Sequence, residues 1–338
     1  MTQTAVVILN YNGEKFLRQF LPSVVSCSGN ASIFIVDNGS TDQSIATVQK
    51  EFPQVKVIAL QENFGFCGGY NRGLKKIKAK YYVLLNSDVE VTPGWLEPLV
   101  DMLEKDMRVA ALQPKVLSYH QRNIFEYAGA GGGYIDSLGY PFCRGRIFKH
   151  VEVDAGQYDD TREIFWATGA CMIIRSSVYE QFDGLDEYLF AHMEEIDLCW
   201  KIHRTNSKVM YCGKSTVYHV GAGTLGYDNP HKTFLNFRNG LILIYKHLDS
   251  GELWYKLPLR MMLDWLAAFL FLLQGKSANA WSVLRAHHAF IKDIGIHRKK
   301  RKLIHKDYPR YTASNIYKGS IVLDYYVQGK KNIEVNNL

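Results

Sequence analysis

Cysteine and proline are scarce in this 338-residue chain, with six and nine respectively. The cysteines stand at 27, 67, 143, 171, 199 and 212, and no two of them form a Cys-x-x-Cys pair. That spacing excludes a zinc ribbon and a compact disulfide framework, and reduced thiols in a cytosolic chain are the simplest reading. There is no Walker A motif, and Gly129-Ala-Gly-Gly-Gly-Tyr134 lacks the final glycine and the preceding strand of a dinucleotide fingerprint. No serine nucleophile elbow is present either. The first apolar run, residues 5–9, is followed at once by Asn-Tyr-Asn-Gly, which does not fit a signal peptide. The longest apolar stretch, residues 257–273, is interrupted by Arg260 and Asp264 and ends at Gln274-Gly275. It falls short of the ~20 apolar residues of a comfortable membrane span, so a helix lying in the interface, or a hairpin packed on the body, is expected.

What is present describes a globular protein, 47% apolar and 22% charged, long enough for a large core and two packed parts. Much of the net charge of +7 lies in residues 297–306, His-Arg-Lys-Lys-Arg-Lys-Leu-Ile-His-Lys. Such a cluster suits a solvated or anionic-surface-binding face better than a sequence-specific reader of nucleic acid. Coming after the apolar stretch, it favours peripheral attachment to an anionic membrane surface over a simple packed helix.

Read in order, residues 4–9, 32–36, 55–60 and 81–91 are strands, with helices between them. The first helix carries Phe16, Leu17, Phe20, Leu21, Val24 and Val25 on one face. The order β-α-β-α-β-α-β predicts the α/β class, with a Rossmann-like, mostly parallel sheet and helices on both faces. Residues 65–73 read as a glycine-dense loop running into a helix. Pro93 is expected to start another helix and residues 109–116 to resume the sheet. Residues 118–161 read as irregular, and a loop of that length is usually functional or mobile. A strand is expected over 165–174, with short strands at 209–211 and 215–219, a glycine-bearing turn over 219–224 and helices from about residue 232.

The turns after the second, third and fourth strands converge on one sheet edge, because ligands in open α/β sheets bind beyond the carboxyl ends of the strands. Asp37 after the second strand can accept hydrogen bonds from a base or ribose. The glycine-rich backbone of residues 65–73 can approach a flat ring or phosphates. Asp88, with Asn86 two residues before it, can hold a divalent cation against a diphosphate, or the turn can be a plain Asx-turn. Together these describe a nucleotide-diphosphate site. Further on, Glu194, Glu195 and Asp197 begin a helix whose dipole favours them, so simple capping is one reading of that cluster.

Several segments, in this order, resemble glycosyltransferase family 2, most closely its bacterial rhamnosyltransferase-like members. They are Val7-Ile8-Leu9-Asn10-Tyr11-Asn12, Val36-Asp37-Asn38-Gly39-Ser40-Thr41-Asp42, Asn63-Phe64-Gly65-Phe66, Asn71-Arg72-Gly73, Leu84-Leu85-Asn86-Ser87-Asp88-Val89-Glu90 and residues 194–200. The resemblance implies a GT-A fold over residues 1–231, with a nucleotide-sugar-binding half (1–90), an acceptor and catalytic half (91–231), and a C-terminal helical, membrane-associating region over 232–338. It implies a metal-dependent inverting glycosyltransferase of cell-surface polysaccharide synthesis, cytoplasmic and peripheral at the inner membrane face. The donor would be dTDP-rhamnose or a UDP-sugar, the acceptor a glycan or lipid-linked molecule, and the cofactor Mg2+ or Mn2+. Asp37 would take the base and Asn10-Tyr11 would line the nucleoside pocket, with Asn63, Gly65, Asn71, Arg72 and Asn86 bordering the donor. Asp88 matches the last aspartate of the family's Asp-x-Asp metal motif, and His219 matches a second metal ligand found in many members. The family's Glu-Asp-x-Asp carries the base in its second position. Here Glu195 stands there, with Glu194 and Asp197 as orienting or acceptor-binding neighbours. Arg238-Asn239 also recurs after the metal histidine, as a phosphate contact or a helix-surface pair. A sugar nucleotidyltransferase and a non-catalytic nucleotide-sugar-binding subunit are the competing readings.

Overall fold

The structure is a computed structural model and describes residues 2–221, 229–309 and 315–333; the end of the turn expected over 219–224 lies outside them. Four parallel strands, β1 (Thr2–Asn10), β2 (Ser32–Asp37), β3 (Lys56–Ala59) and β4 (Ala79–Asn86), stand in the order β3-β2-β1-β4. Helices α1 (Glu14–Cys27), α2 (Ser44–Glu51) and α3 (Gly65–Leu74) connect them, as parallel neighbours require. Residues 5–8 of β1 and 81–85 of β4 are buried whichever way they point, which explains their unbroken apolar sequence. Register pairs Asn10 with Asp37 and Leu9 with Asn86, so the polar strand ends lie side by side.

The chain continues through β5 (Val89–Val91), α4 (Glu97–Lys105) and β6 (Val109–Ser118), then four short strands, β7 (Gly133–Asp136), β8 (Pro141–Cys143), β9 (Arg146–Ile147) and β10 (His150–Val151). After these come β11 (Thr161–Ile164), β12 (Cys171–Arg175), α5 (Ser176–Gln181), α6 (Glu194–His203) and β13 (Lys208–His219). The main sheet extends from β4 through β12, β6 and β13 to β11, with β12 antiparallel to both its neighbours and β5 paired to β13.

Four local expectations change. The glycine-dense stretch is itself the helix α3. A Cβ at Gly73 would lie 2.4 Å from Val36 Cγ2, so α3 can press onto β2 only without a side chain there. Helix α4 begins at Glu97, because residues 92–95 form a turn in which Trp95 N donates to Thr92 O. The strand expected over 165–174 begins at Cys171, and the expected short strands at 209–211 and 215–219 are one strand, β13, bulged between Cys212 and Thr216. Residues 118–161 are not irregular throughout: β7–β10 form a second, five-stranded sheet completed by β14 (Ile316–Tyr317).

The C-terminal part is helical as expected: α7 (Pro230–His247), α8 (Ser250–Leu273), α9 (Ser277–Lys292), α10 (Ile294–Asp307) and, after β14, α11 (Ile321–Tyr326). Leu241, Ile244, Phe290 and Ile321 lie in one core cluster with Ile196 and Trp200. Helix α8 is turned inside out. Its charged pair Arg260 and Asp264 is buried, bonded at 3.0 Å and joined by Tyr140 OH at 3.1 Å, while Trp254, Met262, Trp265, Leu266, Phe269 and Leu270 face outward. Among the described residues, no helix is long and apolar enough to cross a membrane.

Candidate functional site

At the end of β1, Asn10 is buried, and its Nδ2 donates to Asp37 Oδ1 (2.9 Å) and Ser40 Oγ (3.1 Å). Asp37 is buried too, and its Oδ2 accepts from Ser40 N at 2.9 Å. This pair folds the turn after β2 against β1 and leaves Tyr11 at the rim, 51% exposed. Asn63 Oδ1 accepts from Asn38 Nδ2 and from Gly65 N, both at 2.9 Å, which fixes the start of α3. Gly65 has φ +71°, and a Cβ there would meet the Phe190 ring at 2.6 Å, so α3 opens directly against the segment leading into α6. Asn71 and Arg72 point to another part of that segment. Asn71 Oδ1 accepts from Tyr179 OH (2.7 Å) and Leu185 N (2.9 Å), and Arg72 pairs with Glu187 at 2.9 Å. Asn10, Asp37, Asn63 and Gly65 are therefore neighbours, while Asn71 and Arg72 brace the wall behind them.

The turn from β4 to β5 carries Asn86 and Asp88. Because β5 pairs with β13 in the register Val89–His219, a histidine more than a hundred residues away arrives beside it. His219 Nε2 lies 3.2 Å from Asp88 Oδ1 and 3.5 Å from Asn86 Nδ2, and Nδ1 lies 3.1 Å from Glu126 Oε2. Burial works against a charged ring, but the two carboxylates outweigh it and push the His219 pKa up to about 10. Glu126 belongs to no recognisable motif, and sequence reasoning missed it. It is buried in the stretch read as irregular and reaches the site because the turn after β6 folds back, with Glu126 N donating to Val116 O at 3.0 Å.

The carboxylates of α6 stand on a strained approach. Phe190 (φ 65°), His192 (φ 66°) and Met193 (φ 69°) all have positive φ, and Ala191 N donates to Leu189 O at 2.8 Å to close a γ-turn around Phe190. Positive φ costs a non-glycine residue about 1–2 kcal/mol. Asn239, wholly buried on α7, offsets much of this by donating to the carbonyls of Leu189 (3.1 Å), Ala191 (3.0 Å) and His192 (2.7 Å). Arg238 Nη2 adds bonds to Tyr188 O and Leu189 O at 3.2 and 3.0 Å. Asn239 has two amide hydrogens, shared among three carbonyls, and Arg238 supplies the further bonds that hold the turn. The Arg238-Asn239 pair is thus a backbone clamp for α6.

The three acidic residues of α6 differ in their surroundings. Asp197 is fully buried among Lys246 (2.6 Å), His247 (2.8 Å) and Lys201 (2.9 Å); against the cost of burial, these partners hold its pKa well below the usual range. It anchors the helix and presents no carboxylate to the surface. Glu194 is buried, and burial together with the Glu195 carboxylate raises its pKa well above normal. Glu195 is half-buried, its Oε2 has no hydrogen-bond partner among the described residues, and burial raises its pKa to about 7. Residues 169–170 join this group to the Asn86–Asp88 turn: Asn86 N donates to Ala170 O at 3.0 Å, and a Cβ on Gly169 would stand 3.7 Å from Glu194 Oε1. Residues 169–170 are thus the link between the acidic start of α6 and the turn that carries Asp88, His219 and Glu126.

A model of the family described as "Glycosyl transferase family 2" matches residues 5–182. The chain is 24% identical over 275 residues to the N-acetylglucosaminyl-diphospho-decaprenol L-rhamnosyltransferase of Mycobacterium tuberculosis, covering 76% of this chain and 88% of that protein. Among solved structures, GalNAc-T7 with UDP, GalNAc and Mn2+ is similar at a TM-score of 0.57 and 17% identity; the match covers 74% of this chain and spans about half, 49%, of that one. Residues 1–349 of S. aureus TarS are similar at 0.55 and 16% identity, with 92% of this chain and 93% of that chain covered.

Proposed function

The chain belongs to glycosyl transferase family 2 and has the GT-A fold, and from that premise we propose that it is an inverting, divalent-metal-assisted transferase of a sugar from a nucleoside-diphosphate donor. The observation that carries this reading is Glu195, at the end of a clamped turn with a carboxylate oxygen that no described residue engages and a pKa that burial raises to about 7. A general base works best with a pKa near the operating pH. Glu195 takes the proton of an acceptor hydroxyl as that oxygen bonds to the anomeric carbon, and the bond from that carbon to the diphosphate breaks on the opposite face. The configuration inverts and the proton ends on Glu195. Glu194 and the Asp197 anchor hold the helix in place. Tyr11 and the start of α3 take the nucleoside, on the turn that the buried Asn10–Asp37 pair shapes.

The residues around Asp88 fit a hard divalent cation. Asp88 and the Nε2 of His219 would be its ligands, with Glu126 holding the ring through Nδ1 as a supporting carboxylate. Among the described residues, no three His, Cys, Asp or Glu side chains make a ready cage. That agrees with the way Mg2+ is commonly held, by one or two carboxylates plus substrate phosphates. When bound, Mg2+ or Mn2+ would neutralise the leaving diphosphate. GalNAc-T7 was solved with UDP and Mn2+, which supports the same reading.

The donor, dTDP-rhamnose or a UDP-hexose, meets the same nucleotide edge. The acceptor is a glycan or a lipid-linked molecule, contacted by the second sheet and the 118–161 stretch. The M. tuberculosis relative is named for a lipid-linked acceptor, and the outward apolar side of α8 supports peripheral contact with the inner face of the cell membrane. The test is release of nucleoside diphosphate from a donor panel with Mg2+, Mn2+ or chelator. Turnover that needs metal and acceptor supports the proposal. Diphosphate release from sugar-1-phosphate plus nucleoside triphosphate would instead identify a nucleotidyltransferase.

A further inference from the structure

Helix α10 carries the basic run, and its charges divide by face. Arg298, Lys299, Lys302 and Lys306 are exposed, whereas residues 297, 300, 301, 304 and 305 recur at helical spacing and are buried or half-buried. Arg301 Nη1 donates to the carbonyls of Tyr245 and Leu248, and His305 Nε2 lies 3.1 Å from Lys246 O, so this inner face grips the end of α7. Lys300 and His297 reach further. Lys300 Nζ donates to Asp186 Oδ1, and the His297 ring, stacked on Phe290, lies T-shaped to Tyr188 with centroids 4.9 Å apart. Asp186 opens the segment that leads to Glu194 and Glu195. Its Oδ1 also accepts from Tyr188 N at 3.1 Å, and its Oδ2 accepts from Lys246 Nζ at 2.8 Å. The same Nζ donates to Asp197 Oδ1 at 2.6 Å, in the first turn of α6. Residues 186–197 are therefore a loop closed on one ammonium, with the positive-φ residues and both glutamates between the two aspartates. The side chains of Lys246, Asp186 and Asp197 are 1%, 7% and 0% exposed, and Lys300, at 33%, completes the network from the solvent side.

We propose that Asp186 and Lys300 are positioning residues for Glu195: Lys300 holds Asp186 in place on Lys246, and so sets the loop that presents the base. This rests on the transferase reading and adds to it a residue of α10, outside every segment so far assigned to the site. Taking such charges out of water costs about as much as their attraction returns, so the network adds little stability that an apolar core would lack. What it adds is a single arrangement, since both aspartates must meet Lys246 at once. The two ends of the loop are not equally secured. Asp197 has Lys201 and His247 besides Lys246, whereas Asp186 has Lys300 as its other cation. Without Lys300 the Asp186 end loosens first, and the turn that aims α6 loosens with it.

The experiment uses the full chain, with Lys300→Gln and Lys300→Met as neutral variants, Lys300→Arg as the conservative one and Lys299→Gln as a charge control on the outer face. Turnover is followed as nucleoside diphosphate released at saturating donor and acceptor, donor affinity by calorimetry, and amide exchange by mass spectrometry. The neutral variants are expected to lower kcat about tenfold or more with donor affinity near native, since a misplacement of about 1 Å can cost about 10²-fold. Lys300→Arg is expected to restore most of the loss, and Lys299→Gln to cause none. In the neutral variants the amides of Ala191 and Asp197, which donate to Leu189 O and Met193 O, are expected to exchange about fivefold faster or more while those of β1 stay native. A native kcat in the neutral variants overturns the proposal, as does an equal loss in Lys299→Gln or in Lys300→Arg. A loss without faster exchange in residues 186–197 overturns it too, and so does faster exchange throughout the chain, because Lys300 would then support the fold at large. A native chain that turns over no donor, with exchange in residues 186–197 still quickened by Lys300→Gln, sinks the transferase reading and leaves the anchoring of the loop standing.

Discussion

At position 195 a glutamate stands where the family's pattern has aspartate, and its surroundings govern what it can do. Its carboxyl is half-buried beside Glu194, and burial lifts its pKa to about 7. Because the base acts deprotonated, kcat/KM is expected to rise with pH through about 7 and level off above it; a profile flat from pH 5 to 8 would remove Glu195 as the base. Glu195→Gln should lower kcat by about 10²–10⁴-fold, the usual contribution of a general base. Glu195→Asp draws the oxygen back by about 1 Å and should cost roughly 10²-fold rather than restore a family optimum. Asn239 is argued at the same scale. Asn239→Ala removes the amide that bridges three carbonyls of the turn that aims α6, and Asn239→Asp sets a carboxylate against those three carbonyl oxygens. Both should lower kcat while leaving nucleotide affinity near native, measured by donor titration alongside turnover. An unchanged kcat would reduce the clamp to a packing detail.

Helix α8 shows what packing adds to an element's pattern. Arg260 and Asp264 interrupt a run that otherwise approaches the length of a span, and the structure puts them inward, bonded to each other, to Tyr140 OH and to Leu138 O. His287 Nε2 lies 3.3 Å from Asp264 Oδ2 as well. The polar pair pins the helix to the second sheet and α9, and thereby turns the apolar side out. Leu266→Glu with Leu270→Glu should abolish cosedimentation with anionic vesicles and leave the melting temperature unchanged, because both side chains are exposed. Arg260→Met leaves the Asp264 carboxylate buried without its cation and should destabilise the protein by about 3 kcal/mol or more in urea unfolding.

Over the whole molecule, the C-terminal helices are not a removable anchor. Leu241, Ile244, Phe290 and Ile321 share a core cluster with α6, and β14 completes the second sheet. A chain ending before α8 is therefore expected to melt earlier or aggregate rather than simply leave the membrane, and thermal melting of the truncated chain checks this. A melting temperature equal to that of the intact chain would show that the C-terminal part stands apart from the catalytic body.

The order of parallel strands was legible because buried central strands are apolar on both faces and their polar ends can point only into the crevice; Asn10, Asp37, Asn86 and Asp88 follow from that pattern alone. The start of α3 was not legible, since glycine usually marks a loop, and here the absent side chains are what let the helix begin at Gly65 and touch Val36. Glu126 was invisible for a different reason. A carboxylate acquires its role from its neighbours, and its neighbour His219 arrives through strand pairing across more than a hundred residues. The sequence by itself determined the first four strands, their α/β order and the acidic start of α6, because these depend on local periodicity and composition. Only the tertiary structure decided that Asp197 is an anchor while Glu195 keeps a raised pKa, that Asn239 grips the strained turn, and that α8 faces outward. The physical reason is the same in each case. Burial and the distance to an opposite charge are properties of the packed chain, and residues of identical chemistry take different roles when packing gives one a lysine and leaves the next without one.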